Sequence, residues 1–344
     1  MPSSSSGTDL PGFSIVMPSH NRQAQLDRAL SHLAKQTYPA DLIEVVVVLD
    51  GCTDGSARML EAKRASFPFR LQVLEQSQGG PARARNTGVR AAQSEYILFV
   101  DDDVMATPEL VMEHYRTHEA YPNTVVIGTM SRPTDHVRPI WVRWEEYILE
   151  QQYHDLLQGR YQTSPRQFYT GNGSLKREWI IEAGLFDESF KRYEDVELAF
   201  RLERLNLGFK FNPAATGYHY ASRSYQSWTQ MHYLYGHYAV KLARGKGLAE
   251  LIDSHLEEFG DRHWLTRFLS QRLLNHKTLQ RVAAFGLLKV AQLTAFLKQE
   301  RKGYKALSCV ANILFWQGFN EELYPVIPKI IPAKPRLGDK SKIV

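Results

Sequence analysis

The sequence predicts an α/β fold built on a doubly wound, mostly parallel sheet, and three observations predict it. Short apolar runs at 13–18, 42–49, 71–75 and 96–100 have the length of strands, and those at 42–49 and 96–100 are apolar enough for burial on both faces. Helical stretches with short connections alternate with them, which closes a parallel sheet through right-handed crossovers. The runs at 42–49 and 96–100 end in acids, at the carboxyl edge where open α/β sheets bind ligands.

The first run ends on Pro18, which lacks the N–H to extend a ladder. Ser19, His20 and Asn21 lead into 22–36, where Leu26, Ala29, Leu30 and Leu33 recur at helical spacing. The second run closes on Asp50, Gly51, Cys52, Thr53, Asp54, Gly55 and Ser56. This is a tight loop in which Asp54 or Ser56 is placed to cap a helix at 57–64. After the third run, Gly79, Gly80 and Pro81 open a helix that carries Arg83 and Arg85. The fourth run is followed at once by Asp101, Asp102 and Asp103. Adjacent carboxylates repel one another, so a cation is expected to hold them, and oxygen ligands suit Mg²⁺ or Mn²⁺. Helix capping is the alternative duty of such aspartates.

Farther along, Trp141, Trp144, Tyr147 and Tyr153 fall in 140–160 at a spacing that favours a helix's buried stripe over a sugar-stacking face. Asn172, between Gly171 and Gly173, reads as a turn. Glu194 and Asp195 precede a helical run at 196–205. They are either first-turn acids that favour the helix dipole or a pair from which a general base is drawn. His219, between two tyrosines after a strand at 208–213, is a metal ligand or an ordinary core or surface histidine. Beyond Tyr220 only helical periodicity remains. Leu265, Phe268, Leu269 and Leu273 mark an apolar face, with Arg262, Arg267, Arg272 and Lys277 elsewhere on it. Such basic helices lie on anionic membrane surfaces or form a solvated subdomain.

Composition bounds the rest. With 344 residues, 43% hydrophobic and 23% charged, the chain has room for one large domain and a smaller one. Cys52 and Cys309 make neither a disulfide framework nor a zinc spacing, which suits a reducing compartment. No signal peptide is read in 1–12, and the longest apolar stretch, 282–297, is too short to span a bilayer. A cytoplasmic protein is expected, with peripheral contact at the inner face of the membrane through the basic helices. The net charge of +5 is unevenly placed: 262–305 holds ten Lys/Arg and one acid, Glu300. Neither Gly-x-Gly-x-x-Gly after the first strand nor a Walker lysine loop is present, which removes the phosphate cradles of hydride-transfer and P-loop proteins.

Taken in order, Pro18-Ser19-His20-Asn21, Asp50 to Ser56, Ala84-Arg85-Asn86-Thr87-Gly88, the Asp101 triplet, Thr170 to Arg177, Gly184 to Glu188 and Glu194 to Leu198 resemble the family 2 glycosyltransferases of GT-A fold, across residues 13–222. The resemblance implies a metal-dependent, inverting transfer of sugar from a nucleotide-diphosphate sugar, foremost a UDP-sugar, to a hydroxyl acceptor (a sugar, glycolipid or small molecule) in glycan, glycolipid or polysaccharide biosynthesis. It puts Pro18, His20, Asn21, Asp50, Arg85, Asp101, Asp102 and Asn172 at the nucleotide sugar. Asp101, Asp103 and His219 fall at a divalent Mn²⁺ or Mg²⁺, and Asp195, with Glu194 beside it, at the acceptor as base. His20 stands where the family more often has tyrosine, and Leu49 where it has the first of two aspartates. The implied organisation is a leader at 1–12, a GT-A domain at 13–222, a helical subdomain at 223–322 and a basic tail at 323–344. Two other functions stay open. Nucleotidyl transfer to a sugar phosphate would want a triphosphate loop that Pro18 to Asn21 does not supply, and an adaptor for membrane or nucleic acid would have no use for acidic loops at strand ends.

Overall fold

The structure, a computed structural model, describes residues 10–324. The expected leader at 1–9 and tail at 325–344 lie outside the described residues.

In chain order the elements are β1 (Phe13–Ser19), α1 (Gln23–Leu33), β2 (Ile43–Asp50), α2 (Ser56–Lys63), β3 (Arg70–Gln76), α3 (Pro81–Ala91), β4 (Tyr96–Val100) and β5 (Val104–Ala106). Then follow α4 (Leu110–Ala120), β6 (Thr124–Ser131), α5 (Ile140–Leu157), β7 (Asn172–Lys176), α6 (Arg177–Glu182), α7 (Glu194–Arg204) and β8 (Gly208–His219). Five helices complete the described chain: α8 (Tyr225–Gly245), α9 (Glu250–Gly260), α10 (Trp264–Leu273), α11 (Lys277–Phe296) and α12 (Glu300–Leu323). They fall into two compact units. One joins the chain up to Thr134 to Gln162–Tyr220; the other joins Asp135–Tyr161 to the chain from Ala221 onward. Helix α5, inside the 13–222 span read from the sequence, is therefore grouped with the C-terminal helices.

The first unit holds a mixed sheet of eight strands in the order β3-β2-β1-β4-β7-β6-β8-β5. Strands β1 to β4 are mutually parallel, and β7 turns antiparallel against β4. The strands β1, β2 and β4 are largely apolar because both faces are covered, and the buried Ser14 and Glu44 that interrupt β1 and β2 bond each other at 2.6 Å. Ile15, Met17, Val45 and Val47 pack with α1, α2 and α4, while Val16, Val46, Val48 and Phe99 pack on the other side with α3, α6 and α7. Pro18 sits inside β1 rather than ending it, beyond Val16, where pairing to β4 stops. The sequence placed a strand at 208–213; β8 continues to His219 through an irregularity opposite Ile127 to Thr129, which accommodates Pro213.

In the second unit, α5, α8, α11 and α12 close a separate core around Trp144, Trp228, Leu288, Leu307 and Val310. The aromatic stripe at 140–160 is core: Trp144 meets Trp228 edge-on with ring centroids 5.5 Å apart.

Candidate active site

Strand order reverses around β1, whose neighbours are β2 and β4, and the residues expected at the ligand cluster at the C-terminal ends of these three strands. They form two groups.

The first group surrounds Asp50. Its Oδ1 accepts from Gln76 Nε2 and from the Gly79 amide, both at 2.8 Å, and its Oδ2 accepts from the Gly80 amide at 2.8 Å. Gly80 makes this possible with a φ of +91°, left-handed backbone that glycine adopts without strain. His20 Nδ1–H donates to the Asp50 carbonyl at 2.6 Å, a contact that fixes the tautomer and leaves Nε2 as an acceptor. Asn21 Oδ1 accepts from the Thr53 and Asp54 amides at 2.7 and 3.2 Å and so ties the loop after β1 to the loop after β2. Asp50 is buried, yet among the described residues its Oδ2 has one donor, the Gly80 amide, which leaves acceptor capacity for a ligand.

The second group surrounds the aspartate triplet, whose three side chains diverge. Asp101 Oδ1 accepts from Arg85 Nη2 at 2.9 Å. Asp102 is buried beneath the loop after β1, with Oδ2 taken by the Ser19 hydroxyl at 2.7 Å and Oδ1 by Arg22 Nη1 at 2.9 Å. Burial pushes its carboxyl up to about 6. Asp103 Oδ2 also accepts from Arg22, at 2.9 Å, and its Oδ1 stands 3.5 Å from His219 Nε2. Burial alone would raise Asp103; the facing His219 and Arg22 outweigh it and hold the carboxyl down at about 2. The sheet brings this histidine in: β5 pairs with β8 so that Val104 lies opposite His219, and the Tyr220 amide donates to the Asp103 carbonyl at 2.8 Å.

Two arginines thus contact the three aspartates. Arg85, buried on α3, is the hub: Nη2 holds Asp101, and Nη1 holds Glu194 at 3.0 Å. It lies between carboxylates rather than reaching outward toward a base or diphosphate. Glu194 opens α7, and Tyr193 before it takes a left-handed φ of 66°, costly for an aromatic residue and so a mark of a fixed junction. Asp195, next in the helix, is half-buried and pairs with no cation of its own among the described residues. Burial first, then the charge of Glu194, push its carboxyl well above the usual carboxylate range, while Arg85 offsets part of the rise.

Two sequence expectations need correction. Asn172 does not sit in a turn beside a sugar; it is the first residue of β7, fully enclosed. Its Nδ2 donates to the Thr129 and Ala215 carbonyls at 3.0 and 2.9 Å, and its Oδ1 accepts from His114 Nε2–H at 2.8 Å. Gly128 leaves the room, since a Cβ there would lie 2.4 Å from Asn172 Nδ2. The triplet is also no ready-made cation cage: among the described residues, no group of three or more His, Cys, Asp or Glu is placed to hold a metal ion. What fits a divalent ion is the narrower pair of Asp103 Oδ1 and His219 Nε2, a carboxylate and an imidazole facing each other. That donor set suits Mn²⁺ and leaves coordination positions for water and phosphate oxygens. Sequence reasoning missed Ser19 and Arg22, whose partners lie 83 and 80 residues away; the only signal was their place directly after a strand end.

Residues 14–184 match the family described as glycosyl transferase family 2. The chain belongs to glycosyltransferase family 2. YfnE of Bacillus subtilis (strain 168), an uncharacterized glycosyltransferase, is 28% identical to this family 2 chain over 246 residues, 57% of this chain and 62% of its own length. Validoxylamine A glucosyltransferase of Streptomyces hygroscopicus subsp. limoneus is 30% identical over 221 residues, 56% of this chain and 48% of its own length. The chain therefore spans less than two thirds of these curated relatives. Among solved structures, the mannosyltransferase PcManGT from Pyrobaculum calidifontis, in complex with GDP-Man and Mn²⁺, superposes with a TM-score of 0.62 at 18% identity, over 93% of this chain and 89% of that one. At that identity the likeness is one of fold, and the fold is GT-A.

Proposed function

We propose that this family 2 chain transfers a sugar from a nucleotide-diphosphate sugar to a hydroxyl acceptor, by direct displacement with inversion at the anomeric carbon. The acceptor oxygen bonds the anomeric carbon as the bond from that carbon to the diphosphate oxygen breaks. The bonding pair leaves with the nucleoside diphosphate, and the hydroxyl proton passes to the Asp195 carboxylate. The observation that carries this reading is the asymmetry at the head of α7. Arg85 neutralises Glu194 directly and leaves Asp195 beside it with a raised proton affinity, as a general base working near neutral pH requires.

Asp50, with His20 and Gln78 at its mouth, offers the acceptor for a base N–H on the donor. Asp103 and His219 would hold a divalent ion, which when bound neutralises the charge of the departing diphosphate. Support comes from the family match and from a fold neighbour, PcManGT, solved in complex with GDP-Man and Mn²⁺.

Asp195→Asn tests the assignment. It removes the base and keeps the shape, so turnover should fall about 10²–10⁴-fold while nucleotide binding, followed by thermal shift, persists. Turnover within a few fold of the parent chain would remove Asp195 from the mechanism.

A further inference from the structure

We infer that α11 docks the second unit on an anionic lipid surface. This helix is apolar on two sides. Gln280, Ala284, Leu288 and Ala291 face inward, three of them within the unit's core. A second stripe, Leu279, Val282, Phe285, Val290, Leu293 and Phe296, recurs at steps of three and five along the helix and is solvent-exposed; Val282 is 66%, Phe285 58%, Leu293 58% and Phe296 83% exposed. A helix apolar all round is expected inside a protein or a membrane boundary, and here one apolar face has no cover among the described residues. No helix of the described residues is long and apolar enough to cross a membrane. What remains is a helix of 20 residues lying in the interface.

Charge selects the occupant. Residues 262–305 carry ten Lys/Arg against Glu300, and the cations sit among the apolar side chains: Lys289 Nζ is 5.1 Å from the Phe285 ring centroid, and the Arg272 guanidinium is 5.6 Å from that of Phe268. A two-fold contact through this face in a second copy would set like charge against like. The chain's own residues 325–344 bring no opposite charge, with five Lys/Arg and one acid. An anionic bilayer accepts both features at once. Beside the stripe, a cleft of about 710 Å³ between α8, α11 and α12 places Arg281 and Lys277 next to Phe285 and Tyr225, the pairing a phosphodiester headgroup and its chains would meet. Lys277 is shared with Glu321 at 3.1 Å, so Arg281 is the cation available to that phosphate.

The test is co-sedimentation of the full chain with phosphatidylcholine vesicles, with and without phosphatidylglycerol, at low and high salt. The wild type should bind the anionic vesicles at least about tenfold tighter than the neutral ones and release them as salt rises. The Val282→Asp, Phe285→Asp double variant should lose at least about tenfold with its thermal melt unchanged. Leu293→Glu gives the same readout if the double variant does not fold, and Ile181→Asp, at an exposed site of the other unit, should bind as wild type does. Absence of wild-type binding, equal binding to both vesicle types, or a concentration-dependent dimer that Val282→Asp, Phe285→Asp dissolves would each overturn the inference. None of these outcomes depends on sugar transfer.

Discussion

Two polar clusters sit on neighbouring rungs of the same strand pair, and they are held by opposite means. At the end of β4, beyond Val100, the Arg85 guanidinium bridges Asp101 and Glu194 in two ion pairs. Opposite Val100 begins the other cluster, a chain of neutral groups running through the core. His118 Nε2–H donates to Ser174 Oγ at 2.7 Å, the Ser174 hydroxyl donates to His114 Nδ1 at 2.7 Å, and His114 Nε2–H donates to Asn172. Burial lowers both imidazoles, His114 to about 4 and His118 to about 3, so neither carries charge at neutral pH. The contrast teaches that residue type does not assign a role here. Position relative to the strand end separates them: polar groups past it gather at the candidate site, and polar groups before it brace the sheet.

The sharpest way to break the comparison is to remove the charged hub. Arg85→Met leaves Glu194 buried and Asp101 half-buried without their cation, which should cost about 3–5 kcal/mol in urea unfolding and abolish transfer. Arg85→Lys should restore part of the stability and little activity, since an ammonium does not span both carboxylates as the guanidinium fork does.

The matching cut in the neutral cluster is Asn172→Ala, which strands two backbone carbonyls and the His114 N–H. A loss of about 2–3 kcal/mol is expected, with the KM for the donor unchanged in the folded fraction. A raised KM in a stably folded variant would return Asn172 to the substrate.

Acid separates the clusters more gently. The folded-state values of His114 and His118 lie below the unfolded value, so their contribution is present above about pH 6.5 and is lost as pH falls toward about 4. His118→Leu should flatten that limb of the stability curve by about 1–2 kcal/mol, read from denaturant midpoints at several pH values. A limb of unchanged slope would mean the imidazole is not held neutral.

The parallel half of the sheet was legible because strands buried on both faces leave apolar runs, as at 45–49 and 96–100. Helix α1 was legible from Leu26, Ala29, Leu30 and Leu33, all buried as the spacing required. Strands β5 and β7 were not: β5 has three residues, and β7 reads Asn-Gly-Ser-Leu-Lys, a polar string whose strand state comes from β4 and β6 on either side. Of the site, the acids were visible and their cations were not. Arg85 could be read only as a group near the ligand, because its pairing with Glu194 joins positions 109 residues apart. Only the family resemblance separated Asp102 from the two aspartates expected at the metal, and its burial toward Ser19 and Arg22 was not legible.

The central claim is that burial, and after it the charge of Glu194, raise the proton affinity of Asp195 and so make it a base near neutral pH. The measurement that reaches it most directly is the pH dependence of kcat/KM for the wild type and for Glu194→Gln. A base must be unprotonated, so the rate should climb with pH through a midpoint above the usual carboxylate range, and that midpoint should move to lower pH in Glu194→Gln, where the neighbouring negative charge is gone. A midpoint that is the same in both proteins would contradict the account.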